Sequence, residues 1–423
     1  MPRTFPSPLF FRNAEQLITL AGPPVPRRGP ALGELGIIRR GGVLTQGETI
    51  LCVGPTRSLE RKALRLRAHA IDSRGRVVMP GFVDSHTHLI FARSRVNDYE
   101  LRLRGKTYEE IGRAGGGIQL SARNVQQAAA SSLVQQGRWF LSRFAEHGTT
   151  TVEVKSGYGL EIAEEMKILR VIQRLRADPS LELVPTLLAA HALPPRFRGR
   201  SSDYVEEVVR RLIPAVAQHK LAEFIDCFCD RGAFSVEDCR RVFAVGRTFG
   251  LVPRIHAEQL ERTGAARLGI ECGAASADHL DNLSAADIRA LAHSDVIATL
   301  LPGANFHLGL KRYPAARQLI AAGAAVALAS DFNPGTSPTL NMQFILTLAC
   351  TAMGMTPAEA LAASTINGAC ALGRQTRIGS LEPGKEADLI VLDVNDYREI
   401  PYYFAWNHCA MTVKRGRIVY ERC

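Results

Sequence analysis

Through the middle of the chain, short apolar runs alternate with amphipathic stretches of helical period. Eight such runs stand out: VVMPGFVDSH (77–86), TTTVEVKSG (149–157), LELVPTLLAAH (181–191), LAEFIDCFCD (221–230), GLVPRIHAE (250–258), AASADHL (274–280), DVIATLLPG (295–303) and AAVALASDF (324–332). Each is long enough, and apolar enough, for a parallel strand buried on both faces. The intervening stretches carry helix punctuation. Ser121 is placed to cap a helix running to Gly148, with Val125, Ala129, Leu133, Phe140 and Phe144 at helical spacing. Ser235 with Asp238 forms a capping box and Gly250 ends that helix; Pro314 and Gly323 bracket another. Eight strands in alternation with helices predict a (β/α)8 barrel rather than an open doubly wound sheet.

The two ends read differently. Up to Pro80 the chain offers strand-like pieces (ELGIIRR, TILCVG, AIDSRGRVV), glycine turns and no convincing helix. After a capping box at Thr356-Pro357-Ala358-Glu359 and its helix, β patterning returns in GKEADLIVLD and AMTVKRGRIVY. The expected organisation is therefore an α/β fold: a TIM-like (β/α)8 barrel over 81–373, with a small β-sandwich domain built from 1–80 and 374–423.

Composition narrows the class. The chain has 423 residues, 46% of them hydrophobic, which is ample for a large core. No apolar run approaches the ~20 residues of a membrane span, so no membrane role is expected. The stretch MPRTFPSPLFFRNAEQLITLAG lacks the apolar centre of a secretory signal. Nine scattered cysteines, an odd number, suit a reducing compartment better than a disulfide framework, and the expected location is the cytoplasm. Cys227 and Cys229 lie in a strand-like run and read as buried small hydrophobes. The net charge of +11 is spread through helices, as at Arg170, Arg174 and Arg176, so a solvated surface is expected and no nucleic acid. A small anionic substrate remains compatible, and so does a homodimer. The glycine cluster at 112–117 has neither a dinucleotide fingerprint nor a P-loop ending and reads as a flexible loop at the barrel mouth.

Candidate chemistry gathers where the strands end. In GFVDSHTHLIFARSR, His86 and His88 are two residues apart, so on a strand both point to one side and can converge on a metal ion. His191, His256, His279 and Asp331 sit at the ends of the third, fifth, sixth and eighth runs. Each alone could be a hydrogen-bonded structural residue, but all lie on the edge where barrel enzymes build their sites. Three histidines and an aspartate suit one metal ion with water, which would make hydroxide available at neutral pH. Asp331 is placed to move a proton, and His279, expected to titrate near neutrality, to polarise substrate or relay protons. Lys155 has two readings: a carbamylated bridge between two metals, or a salt bridge or substrate contact, the second being preferred. Arg93 and Arg95 both follow the histidines, and strand parity does not choose between them. No G-x-S-x-G elbow and no H-E-x-x-H helix is present.

PGFVDSHTHL, the histidines of the fifth and sixth runs, the aspartate of the eighth and the closing GSLEPGKEADLIVLD resemble the amidohydrolase superfamily. HTHLIFARSR, AGGGI, TTTVEVKSGYGL, HAEQL, SADHL, LLPGANFHLG and ASDFNPGTSPT are similar, more narrowly, to the imidazolonepropionase family over nearly the whole chain. The resemblance implies His86, His88, His256 and Asp331 as ligands of one divalent or trivalent metal ion per chain, Zn or Fe. It implies His279 and Asp331 as catalytic, and substrate contacts from Arg95, Tyr158, His191, Asn333, Gly335 and Thr336. The implied reaction is hydrolysis of the cyclic amide of 4-imidazolone-5-propanoate, an anion that Arg95 can bind through two hydrogen bonds, to N-formimidoyl-L-glutamate. Gln259 occupies the place where related deaminases have Glu; it cannot titrate, which disfavours deamination and leaves it as a substrate hydrogen-bonding residue. Glu258 beside it is expected to face away. Another ring hydrolase or aminohydrolase of the superfamily, and an inactive barrel serving as an assembly protein, are the competing readings.

Overall fold

The computed structural model describes residues 6–422; the first five residues of the stretch read for signal character, and Cys423, lie outside the described residues. Among the described residues, sixteen strands form two sheets. The N-terminal strands are β1 (Leu9–Ile18), β2 (Ile37–Gln46), β3 (Thr49–Pro55), β4 (His69–Asp72) and β5 (Val77–Pro80). Eight more follow: β6 (Phe82–Asp84), β7 (Thr149–Lys155), β8 (Glu182–Ala190), β9 (Phe224–Cys229), β10 (Val252–Ala257), β11 (Ser276–His279), β12 (Ile297–Leu300) and β13 (Val326–Leu328). The chain closes with β14 (Leu389–Leu392), β15 (Cys409–Lys414) and β16 (Arg417–Glu421).

Strands β6 to β13 pair in chain order, all parallel, and coincide with the eight apolar runs. The barrel is closed by looser bonds between its first and last strands. Asp331 N donates to His86 O at 3.1 Å, and His88 N donates to Phe332 O at 2.9 Å. Asp84, fully buried, accepts from the backbone N–H and hydroxyl of Ser330. That seam brings the aspartate of the last strand beside the two histidines of the first.

Both chain ends build the second, mixed sheet, in the order β16-β15-β14-β5-β1-β2-β3 with β4 beside β1. Phe11, Leu17, Val43, Val78, Leu389 and Val413 form its apolar core. Ionic contacts fasten it to the barrel: Glu182, at the start of β8, receives Arg374 Nε at 3.0 Å and lies 3.6 Å from the buried Lys414 Nζ.

Two helical expectations need correction. A helix does form before residue 80, over Thr56–Arg65. Its narrow apolar stripe, Leu59 and Ala63 among arginines, lysine and glutamate, covers Phe10 and Leu44. The helix expected from Ser121 to Gly148 is two helices, Gly117–Gln127 and Ala130–Glu146, broken at the extended Ala128. Lys167, on the helix Ile162–Leu175, causes or fixes the break by donating to the carbonyls of Val125 (2.9 Å), Gln126 (3.2 Å) and Ala128 (3.4 Å). Ser121 lies inside the first helix rather than at its cap. The capping boxes at Ser235 and Thr356 form as expected.

Candidate active site

The strand ends converge on a buried polar cluster. On β10, Arg254 and His256 share the inward face; on β7, Glu153 and Lys155 do; on β9, Asp226 does, while Cys227 and Cys229 are buried outside the barrel. His86 and His88 follow β6 with the same parity.

His256 Nε2 faces His88 Nε2 at 3.3 Å, and Asp331 Oδ1 lies 3.6 Å from both His86 Nε2 and His88 Nε2. Donor atoms of His86, His88 and Asp331 fall within 4.8 Å of one another, as do those of His86, His256 and His279. The outer ring nitrogens are fixed from behind. His86 Nδ1 bonds Asp278 Oδ2 at 2.7 Å, and His256 Nδ1 bonds Asp226 at 3.1 Å. With those N–H groups held by carboxylates, both Nε2 lone pairs turn inward. His86 Nε2 is buried and has no hydrogen-bond partner. Buried imidazole nitrogens that face one another and a carboxylate, with the Nε2 lone pairs of His86 and His256 turned inward, fit a divalent cation.

Burial, with the surrounding imidazoles and Lys155, pushes the pKa of His86, His88 and His279 well below the ordinary histidine value. His279 is thus held neutral, which corrects the expectation that it titrates near neutrality. Burial raises the Asp331 carboxyl well above its usual range, an imbalance that a neighbouring cation would reverse. His279, Asp331 and Glu258 all adopt positive φ (78°, 54° and 57°), an unusual backbone state for residues other than glycine and one concentrated here at the strand ends.

A cavity of about 600 Å³ opens over this cluster. His88, Arg95, Tyr158, His191, His256, Gln259, His279, Asp331, Asn333 and Thr336 line it. His86 lies deeper, and Gly335 is not on the wall. Arg95 is 6% exposed, whereas Arg93 is exposed to solvent, so the structure separates the two arginines. Arg95 Nε has no hydrogen-bond partner. His191 stacks on His88 with ring centroids 5.0 Å apart, and its Nδ1 bonds Gly157 O at 2.9 Å, leaving Nε2 free to accept. Tyr158 packs against both rings. In the Asn333–Thr336 turn, the N–H groups of Gly335 (2.8 Å) and Thr336 (2.7 Å) donate to Asn333 Oδ1. Those two donors therefore serve the turn. Glu258 faces away as expected, accepting from the N–H groups of Thr263, Gly264 and Ala266 at the start of the next helix. Where the glycine cluster runs into the helix Gly117–Gln127, Gly117 N donates to Asp98 Oδ2 at 2.9 Å.

The Amidohydrolase family model matches residues 77–419. The chain is 46% identical to the imidazolonepropionase of Solibacter usitatus, over 97% of this chain and 98% of that protein. It is also 46% identical to the imidazolonepropionase of Geobacillus kaustophilus, over the same shares. The chain belongs to the imidazolonepropionase family. As a member of that family it is an enzyme, a cyclic amide hydrolase. Among solved structures, an adenosine deaminase from Xanthomonas campestris with bound zinc covers 98% of the chain, with 93% of its own length matched. Its TM-score of 0.69 at 17% identity shows a shared fold.

Sequence reasoning missed several groups that this imidazolonepropionase-family site uses. Arg102 and Phe228 line the cavity, and Glu153, Asp226, Arg254 and Asp278 buttress it from below. The signal for the last four was available. For Glu153 and Arg254 it is a recurrence of polar residues at i and i+2 inside apolar runs (Glu153 and Lys155; Arg254 and His256), which marks an inward polar face; for Asp226 and Asp278 it is a lone aspartate inside an apolar run. Lys155 is 1% exposed and off the cavity wall. Its Nζ lies 2.8 Å from Glu153 Oε1 and 2.8 Å from Asp226 Oδ2, so it is a salt bridge, not a substrate contact.

Proposed function

We propose that the chain hydrolyses 4-imidazolone-5-propanoate to N-formimidoyl-L-glutamate with one Zn or Fe ion held by His86, His88, His256 and Asp331. The observation that carries this reading is a cluster of inward-facing imidazole nitrogens at one end of a cavity whose wall also holds the buried Arg95 guanidinium. When bound, such an ion supplies Lewis acidity and hydroxide near neutral pH. Asp331, with Oδ1 toward the histidines and Oδ2 near Thr336 Oγ1 at 3.5 Å, takes the proton of the attacking water and delivers it to the leaving ring nitrogen. Neutral His279 donates a hydrogen bond to the substrate carbonyl. Arg95 holds the propionate, and Tyr158, His191, Gln259, Asn333 and Thr336 orient the ring. The zinc of the structurally similar deaminase supports the metal assignment. The eight described cysteines are all free, which supports a reducing, cytoplasmic setting.

The test combines elemental analysis with a substrate panel. Protein prepared without chelator carries about one metal ion per chain; His256→Ala loses it, and His279→Ala keeps the metal but loses turnover. Imidazolone absorbance decays faster than the uncatalysed rate, while guanine and cytosine are untouched. Metal loss in His279→Ala would move His279 into the ligand set. A folded, metal-free wild type without turnover would favour the assembly-protein reading.

A further inference from the structure

Among the described residues, the cavity wall and the four ligands leave two fully buried cations beneath the site, Lys155 and Arg254, without a task. Lys155 sits beneath the histidines with three carboxylates around it: Glu153 and Asp226 at 2.8 Å, and Asp278 at 4.0 Å. Arg254 Nη2, also buried, shares Asp278 Oδ2 at 3.2 Å. A buried salt bridge can serve only to neutralise its members. The bonds here have a more specific layout.

The Asp226 carboxylate is held from two sides. His256 Nδ1 lies 3.1 Å from both of its oxygens, and the Lys155 ammonium makes an ion pair with Oδ2 at 2.8 Å. Lys155 therefore fixes the rotation of the group that fixes the His256 ring. The second partner leads to the other histidines. Glu153 Oε1 accepts from Lys155, while Oε2 accepts from Thr87 N at 3.1 Å. Thr87 Oγ1 donates to Glu153 O, and Lys155 N donates to Thr87 O at 3.0 Å. Thr87 is the residue between His86 and His88, so its peptide groups are clamped from both sides by the same two-residue unit. An ammonium, with three donors and no acceptor, can address both carboxylates at once.

We propose that Lys155 is a positioning residue that sets three of the four metal ligands: His256 through Asp226, and His86 and His88 through Glu153 and the Thr87 backbone. This rests on the metal-hydrolase reading above. Loss of a group that orients ligands through hydrogen bonds weakens metal binding by about 10- to 100-fold.

Two variants separate positioning from charge balance. Lys155→Met removes the ammonium and keeps the stem but leaves two buried carboxylates, so it also lowers stability. Lys155→Met combined with Glu153→Gln removes one charge of each sign and keeps the packing. Zn²⁺ affinity of the chelator-stripped protein is read by competition with a coloured chelator, stability by urea unfolding, and ring state by ¹⁵N-histidine NMR of the metal-free protein. The expected result is that the double variant recovers stability while Zn²⁺ affinity stays about 10- to 100-fold weaker, with the His256 Nδ1–H signal altered. A double variant that binds Zn²⁺ as tightly as wild type, with an unchanged His256 signal, would overturn the proposal. Failure of the metal reading looks different: wild type itself would bind no Zn²⁺. The NMR signal tests Lys155 even then, because it requires no metal.

Discussion

Gly335 carries no side chain because another residue fills its place: a Cβ built there would fall inside the Arg95 guanidinium. Its partner is 240 positions away in sequence, so nothing local to Asn-Pro-Gly-Thr could reveal the contact; the turn alone explains a glycine there. Arg95 itself was legible only through family resemblance, since the segment after His88 is irregular and strand parity does not apply to it. The consequence is testable. Gly335→Ala pushes the guanidinium off its seat, and a carboxylate bound through charge-assisted hydrogen bonds loses about 1.5–3 kcal/mol, or roughly 10- to 100-fold. Steady-state kinetics should show that loss chiefly in KM, with metal content unchanged. An unaltered KM would mean that the anion is held elsewhere, with Arg102 the next candidate.

The eight barrel strands were legible because apolar runs between punctuated helices leave few other folds. The break at Ala128 was not. Val125 through Phe144 keep helical spacing across it, and the group that ends the first helix, Lys167, arrives from a different helix some 40 residues later. Local sequence carries no trace of such a cap. Lys167→Met should leave the carbonyls at 125–128 without these donors and lower stability by about 1 kcal/mol, the scale of one or two net hydrogen bonds. Urea unfolding measures the loss, and amide exchange should quicken at the end of the Gly117–Gln127 helix. Equal stability with a merged, continuous helix would show that the break has another cause. The polar barrel interior lay between these extremes: its period-two charges were in plain view but submerged in runs that read as wholly apolar.

At the scale of the whole molecule, a barrel whose upper half is filled with neutral imidazoles links folding to protons. His191 isolates the effect, because burial and the neighbouring His256 lower its pKa from 6.5 to about 3. In the unfolded chain it takes up a proton near its ordinary value, so below pH 6.5 the unfolded state binds more protons than the folded one. The stability it contributes is complete above that pH and is lost as pH falls toward about 3. Buried carboxylates oppose this: Asp84, raised to about 7 mainly by burial, contributes stability at low pH that is lost as pH rises through 7. The total pH dependence therefore mixes signs, and a difference measurement is needed. Urea unfolding of wild type and His191→Asn at pH 6, 5 and 4 should give lines that converge toward acid. The wild-type slope should be steeper by about one proton, or roughly 1.4 kcal/mol per pH unit. The asparagine keeps a donor for Gly157 O, so the fold has no new unpaired carbonyl. Parallel lines would mean that His191 is already solvated in the folded enzyme, and that the cavity above the metal ligands is wetter than its buried walls imply.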